Sequence, residues 1–216
     1  MLYKVNMSSQ KYFDYQFSEL KDENNFFVNS TNENSYNLIS NNIIDQNIFL
    51  FGPKKSGKTH LLNIWMKKNH GLLFNNNFNE ILKTKNNIAI DNIFYNIFEE
   101  EIFHIINHCK SYNLKILVTS SISLNEYKFE LSDLFSRLTA FYNVKINDPD
   151  DEMCKILMTK LFYEKQIIIK NNEIFDFILN RVSRTYNDIY LFVKKIDNLS
   201  LEKKRQLTIP LIKEIL

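Results

Sequence analysis

The chain has 216 residues, 44% of them hydrophobic and 24% charged, which excludes a disordered tail and suits one compact domain with a small lid. Lys and Arg number 27 against 25 Asp and Glu, a formal net charge of +2, and that balance argues against a surface built mainly to hold a nucleic-acid backbone. Three Gly and three Pro exclude collagen-like and linker-rich architectures.

Residues 1–20 are polar with scattered aromatics and read as an extended arm. No apolar signal core is present there, and no apolar run approaches the ~20 residues that a membrane span needs, so a cytoplasmic protein is expected. Asn47 to Phe51 is a short apolar run closed by Gly52-Pro53 and predicts a buried strand. Lys58 to Lys68 places Leu61, Leu62, Trp65 and Met66 on one helical face. Residues 71–74 predict a short strand, and Ile88-Ala89-Ile90 a buried one ending in Asp91. Ile97 to Cys109 predicts a helix with Phe98, Ile102, Ile105 and Ile106 on its buried side, its Glu99-Glu100-Glu101 run a solvated start. Lys115 to Ser120 and Val144 to Ile146 complete the strands. Strand and helix in alternation predict a parallel sheet with helices on both faces.

After Pro149 the texture changes to helices over Asp150–Gln166, Asn172–Val182, Asn187–Leu199 and Pro210–Leu216. Pro149-Asp150-Asp151 is an acidic helix start, and Thr208-Ile209-Pro210 places Pro in a first turn. The expected organisation is an arm over 1–20, an α/β core over 21–148 and an all-helical lid over 149–216. Cys109 and Cys154 fall in helical stretches without CxxC spacing, so neither a disulfide framework nor a zinc knuckle is implied. His104 and His108 lie four apart on a helix, but no acidic or cysteine partner stands in register, and His104 is expected to pack structurally.

Gly52-Pro53-Lys54-Lys55-Ser56-Gly57-Lys58-Thr59 fits the phosphate-loop pattern GxxxxGK[ST], with a strand before it and a helix after it. Glycines let the backbone approach phosphates with its N–H groups turned inward, and the helix aims its positive end at the same anion. Lys58 would reach the β- and γ-phosphates, and the Thr59 hydroxyl would ligate Mg²⁺. Asp91 is placed to hold the Mg²⁺ through water. The next position, where many ATPases carry a second acid, is Asn92, which cannot act as a base, so hydrolysis by this chain should be slow. Thr119, Ser120 and Ser121 end the strand beside it, where a hydroxyl could touch the γ-phosphate or the attacking water. Arg137 sits near the end of the short amphipathic stretch Leu131 to Leu138.

In this order the motifs resemble the AAA+ ATPase family and, within it, the DnaA clade. Phe26 to Ser30, the phosphate loop, Glu101 to Asn107, Leu117 to Ser120 and Ser136-Arg137-Leu138 carry the likeness, which runs from about residue 26 to the end. The resemblance implies an AAA+ core, with Phe27 and Val28 near the adenine and Arg137 as an arginine finger for a neighbouring molecule's ATP. Arg205 to Leu216, and an end where DnaA would continue into a helix-turn-helix, look like the Hda-type regulators. Members of that group bind the DNA polymerase sliding clamp and stimulate hydrolysis of DnaA-bound ATP. They carry a clamp-binding motif near the N-terminus, a part that Gln10, Phe13 and Tyr15 could play, although leucines usually stand where Lys11 and Phe13 are. The family's lid arginine falls at Asn187, with Arg184 one turn earlier.

The expectation is a nucleotide-bound adaptor acting on DnaA, without a membrane association or sequence-specific DNA contacts of its own. An autonomous P-loop ATPase or nucleotide kinase, and an initiator or helicase-loader type AAA+ protein, are the alternatives. ADP against ATP as the working ligand, and self-assembly, stay open at this point.

Overall fold

A computed structural model of the chain describes residues 26–41, 43, 45–169 and 171–216. Gln10, Phe13 and Tyr15 lie outside the described residues. Apolar runs bounded by polar residues make the strands. Ile48–Phe51 (β1), Ile88–Ile90 (β3) and Ile116–Ser120 (β4) are buried almost throughout, as strands covered on both faces must be. The two-residue β2 (Leu72–Leu73) and β5 (Tyr142–Lys145) form the edges. Every pairing is parallel, in the spatial order β2-β3-β4-β1-β5.

Side chains of the central strands alternate between two apolar layers. Ile48, Leu50, Leu117 and Val144 pack with Leu61, Leu62 and Trp65 of α2 (Lys58–Asn69) and Ile39 of α1 (Glu33–Ser40). Phe49, Ile88, Ile90, Ile116 and Val118 pack instead with α4 (Glu99–Ser111) and α5 (Ser132–Thr139), with Ile81 of the one-turn α3 (Phe78–Ile81) beside them. The result is a sheet between two helical layers. The chain leaves β1 toward β2 and returns from β4 across β1 to β5, so a crevice forms at the carboxyl ends of β1 and β4.

Four more helices follow: α6 (Asp151–Glu164), α7 (Glu173–Leu179), α8 (Tyr186–Lys203) and α9 (Ile209–Ile212). They share their own core, with Met158, Phe162, Ile178, Ile189, Val193 and Ile196 almost wholly buried. Asp150 caps α6 by accepting from Met153 N at 2.7 Å, and Thr208 caps α9 ahead of Pro210. Thr185 caps α8, which therefore starts at Tyr186 and runs to Lys203, beyond the expected Leu199. Helix α9 stops at Ile212, short of the expected Leu216. Both cysteines are buried and free, and no helix among the described residues is long and apolar enough to cross a membrane.

Three expectations are corrected at α4. Phe98 does not enter the buried side. It is the extended N-cap residue and is 73% exposed. Glu99 is not a solvated start but is buried. Its carboxylate accepts from Glu130 N at 3.1 Å and from Leu131 N at 2.7 Å. The reason is at α5, whose N-cap position is Leu131, a side chain with no oxygen to offer, so the acid from α4 supplies the acceptor and the negative charge that a helix start favours. His104 is exposed and meets the rings of Phe78 and Phe103 at an angle, whereas His108 Nε2 lies 2.9 Å from Thr84 O. Among the described residues no group of His, Cys, Asp or Glu is clustered to hold a metal.

Removing the Glu99 carboxylate leaves two part-buried N–H groups at the start of α5 without their acceptor. Glu99→Ala should lower stability by about 1–3 kcal/mol, measured by urea unfolding monitored by circular dichroism.

Candidate functional site

The loop between β1 and α2 is shaped by two close approaches. A Cβ at Gly52 would lie 2.6 Å from Ile146 O, so the backbone itself occupies the space a side chain would need. Gly57 has φ +95°, and a Cβ there would also meet the Phe26 ring at 2.9 Å. Phe26 is stacked on Tyr36 with ring centroids 5.5 Å apart and meets the His60 ring edge-on at 5.2 Å. It therefore braces the loop from behind. The sequence reading placed Phe26 in the shared motif order without assigning it this part.

Lys58 lies back across the loop. Its Nζ donates to Gly52 O at 2.7 Å and to Pro53 O at 2.6 Å. Burial pushes its pKa down to about 8, and the charge of Asp91 opposes that shift. Ser56 Oγ is buried and has no hydrogen-bond partner among the described residues. Lys54 and Lys55 stand exposed on the outer side of the loop, with Lys55 Nζ 4.2 Å from the ring centroid of Tyr190 on α8.

The end of β3 meets this loop at Asp91. Thr59 Oγ1 donates to Asp91 Oδ2 at 2.8 Å, and Thr119 Oγ1 donates to Asp91 Oδ1 at 2.5 Å. The Thr119 hydroxyl in turn accepts from Asn92 N at 2.8 Å. Thr119 is fully buried, and its hydroxyl orients the Asp91 carboxylate. Ser120 is buried too, with its Oγ accepting from Ile122 N. Asn92 is exposed, in the left-handed region at φ 51°.

These residues fit a phosphate chain with a divalent ion. The loop combines an unpartnered buried hydroxyl, an ammonium and a helix start whose first N–H groups have no intrahelical acceptor. Thr59 and Asp91 are hard oxygen donors already side by side, the type that Mg²⁺ takes. Such an ion would neutralise phosphate charge.

A third stretch reaches the site from the lid. Asn29 Nδ2 and Ser30 Oγ donate to the Asp150 carboxylate at 3.1 and 3.0 Å. Thr31 Oγ1 and Tyr186 OH lie 3.2 Å apart and are buried. Phe27 is 50% exposed and Val28 40%, with Phe27 O accepting from Asn32 Nδ2 at 2.8 Å. Tyr186 and Tyr190 escaped the sequence reading. Their signal was the four-residue spacing that puts both on one face of a helix. Arg184 precedes the Thr185 cap, outside the helix, and pairs with Asp151 through Nε at 2.5 Å. Asn187 sits in the first turn of α8.

Arg137 lies elsewhere. It is in the last turn of α5, and two residues past that helix the chain enters β5 at Tyr142, in register with Ile48 at the start of β1. The phosphate loop follows the other end of β1, about 13 Å of strand away. Arg137 borders a groove with Asp45, Lys110, Lys115 and Asp133, and its guanidinium carbon is 4.6 Å from the centroid of the Phe103 ring.

Comparison with known proteins matches residues 150–216 to the family of the Hda lid domain. The fold is shared with domain III of the Thermotoga maritima replication initiation protein DnaA, at TM-score 0.73 and 18% identity, over 89% of this chain and 94% of that one. The chain has the AAA+ fold seen in DnaA, and its C-terminal segment matches the Hda lid. AMPPCP-bound DnaA from Aquifex aeolicus shares the AAA+ fold at TM-score 0.64 and 19% identity, over 84% of this chain and 67% of that one. The chain spans 66% of the length of a DNA replication initiation factor of the same fold, at 19% identity. An uncharacterized protein of Haemophilus influenzae is 27% identical over 186 residues, 78% of this chain and 80% of the relative.

The depressed Lys58 pKa of about 8 has a sign that can be measured. Between pH 8 and 10.5 the unfolded chain holds this proton more tightly than the folded one, so the contribution of Lys58 to stability improves as pH rises through that window. A phosphate chain beside Nζ would restore the ammonium. ATP binding at pH 8.5 should therefore take up about three-quarters of a proton. Calorimetry in two buffers of different ionisation enthalpy would reveal that uptake, and Lys58→Met should abolish it.

Proposed function

We propose that this AAA+ protein is a nucleotide-bound adaptor that acts on the replication initiator DnaA. It holds ADP or ATP with Mg²⁺ in the loop Gly52–Thr59, with Thr59 and Asp91 on the ion and Phe27 and Val28 beside the base. It presents Arg137 to the ATP of DnaA, and its N-terminal arm docks on the sliding clamp through Gln10, Phe13 and Tyr15. The observation that carries this reading is the position of Arg137 at the end of the sheet away from the chain's own phosphate loop. A guanidinium there serves a second molecule's triphosphate, where it stabilises the charge that develops as the γ-phosphate leaves.

Two further features support an adaptor over an enzyme that turns over its own ATP. Asn92 offers an amide where a second acid would activate water, and Arg184 is engaged by Asp151. The lid, with Asn187 at the position of the family's lid arginine, then helps to retain nucleotide more than to sense its γ-phosphate. Hydrolysis would occur on the DnaA side of the contact, and the adaptor's own nucleotide would hold its core and lid in the shape that docks.

Three substitutions separate the parts. Lys58→Ala should lose nucleotide, read by equilibrium dialysis. Arg137→Ala should keep nucleotide and clamp but lose the stimulation of DnaA-bound ATP hydrolysis by about 10³-fold or more, the range an arginine finger contributes. Gln10→Ala should lose only the clamp, in a pull-down with purified clamp. Rapid turnover of ATP by the purified chain alone would overturn the adaptor reading.

A further inference from the structure

Arg137 needs its five N–H donors free and its plane fixed if it is to meet a phosphate. The structure provides a seat of that kind. Its guanidinium lies over the Phe103 ring at 4.6 Å, and among the described residues it makes no ion pair. A carboxylate partner would take up the edge donors and would have to be broken off before phosphate could bind. An aromatic face holds the cation by its π surface and leaves the edge open.

Both halves of the contact stand on fixed ground. Leu134 and Leu138, either side of Arg137 on α5, are fully buried. Phe103 is packed into the same apolar layer from α4. One turn before it on α4, Glu99 holds the start of α5 through Glu130 N and Leu131 N. Two residues four apart on one helix therefore grip the neighbouring helix at both ends, the first at its amide terminus and the second at its arginine.

We propose that Phe103 is the positioning residue of Arg137, presetting the guanidinium for a triphosphate held by another molecule. The proposal rests on the reading that Arg137 acts on DnaA-bound ATP, and the test separates the two. The full chain is titrated against ATP-loaded DnaA in the presence of the clamp, and both the maximal hydrolysis rate and the half-saturating concentration are read. Phe103→Leu keeps the bulk and removes the π face. It should lower the maximal rate about threefold, in proportion to the strength of such a contact, and leave the half-saturating concentration unchanged. Phe103→Tyr should restore the rate. A merely structural Phe103 would shift the half-saturating concentration and the thermal midpoint instead, and that result overturns the proposal.

If Phe103→Leu stimulates like the unaltered chain while Arg137→Ala does not stimulate, the seat is refuted and the finger stands. If Arg137→Ala stimulates fully, the finger reading fails and the seat fails with it. A second measurement is independent of function and of the leucine variant's folding. The Arg137 Hδ and Hε resonances of the unaltered chain should be shifted upfield by the ring current of Phe103, and ordinary arginine positions there would overturn the proposal.

Discussion

The carboxylate of Asp91, held between Thr59 and Thr119, is the contact on which the site depends. It joins the start of α2, the end of β3 and the end of β4 at one point. Hydrogen bonds to an ionised acceptor are stronger than neutral ones, and two hydroxyls leave this carboxylate little freedom to turn. The contact exists because Ile90 is in register with Val118, which brings the next residues, Asp91 and Thr119, side by side at the carboxyl edge of the sheet. A slip of one residue would reverse every side chain of a buried strand. The apolar alternation of Ile88, Ala89 and Ile90 between the two layers is therefore what aims a half-buried acid.

Two stretches far apart in the chain meet the phosphate loop and each other. Phe26 supports Gly57 from behind, Lys55 lies over Tyr190, and Tyr186 meets Thr31. Asp150 does two jobs at the border of core and lid, capping α6 and taking the side chains of Asn29 and Ser30. Its pKa is held below the ordinary carboxylate value chiefly by the Met153 amide. Because one carboxylate serves both the lid helix and the segment carrying Phe27, the lid and that wall of the site are mechanically linked.

Local patterns made much of this legible before any coordinates. The glycine-rich loop announced itself because its glycines answer a local backbone demand, and the strands because short apolar runs end at turn residues. The helix starts near Asp150 and Pro210 were readable for the same reason, being set by the residues beside them. Other features were not local. Glu99 looked like part of a solvated acidic run, since nothing near it in sequence says that the start of α5, thirty residues on, lacks an acceptor. Thr119 looked like a phosphate contact because its partner Asp91 comes from a different strand. The pairing of Arg184 with Asp151, 33 residues apart, is likewise not local.

The sequence by itself determined the element order, the phosphate loop, the acid that follows β3, and the change from mixed to all-helical structure near Pro149. Those follow from spacing and from what a few neighbouring residues can do with their own backbone. Only the tertiary structure decided which hydroxyls hold Asp91, that a carboxylate from α4 caps α5, and that the face of Phe103 receives Arg137 at the end of the sheet opposite the loop. Each of these joins groups brought together by strand register and helix packing, and contacts between distant segments leave no periodic trace along a single chain.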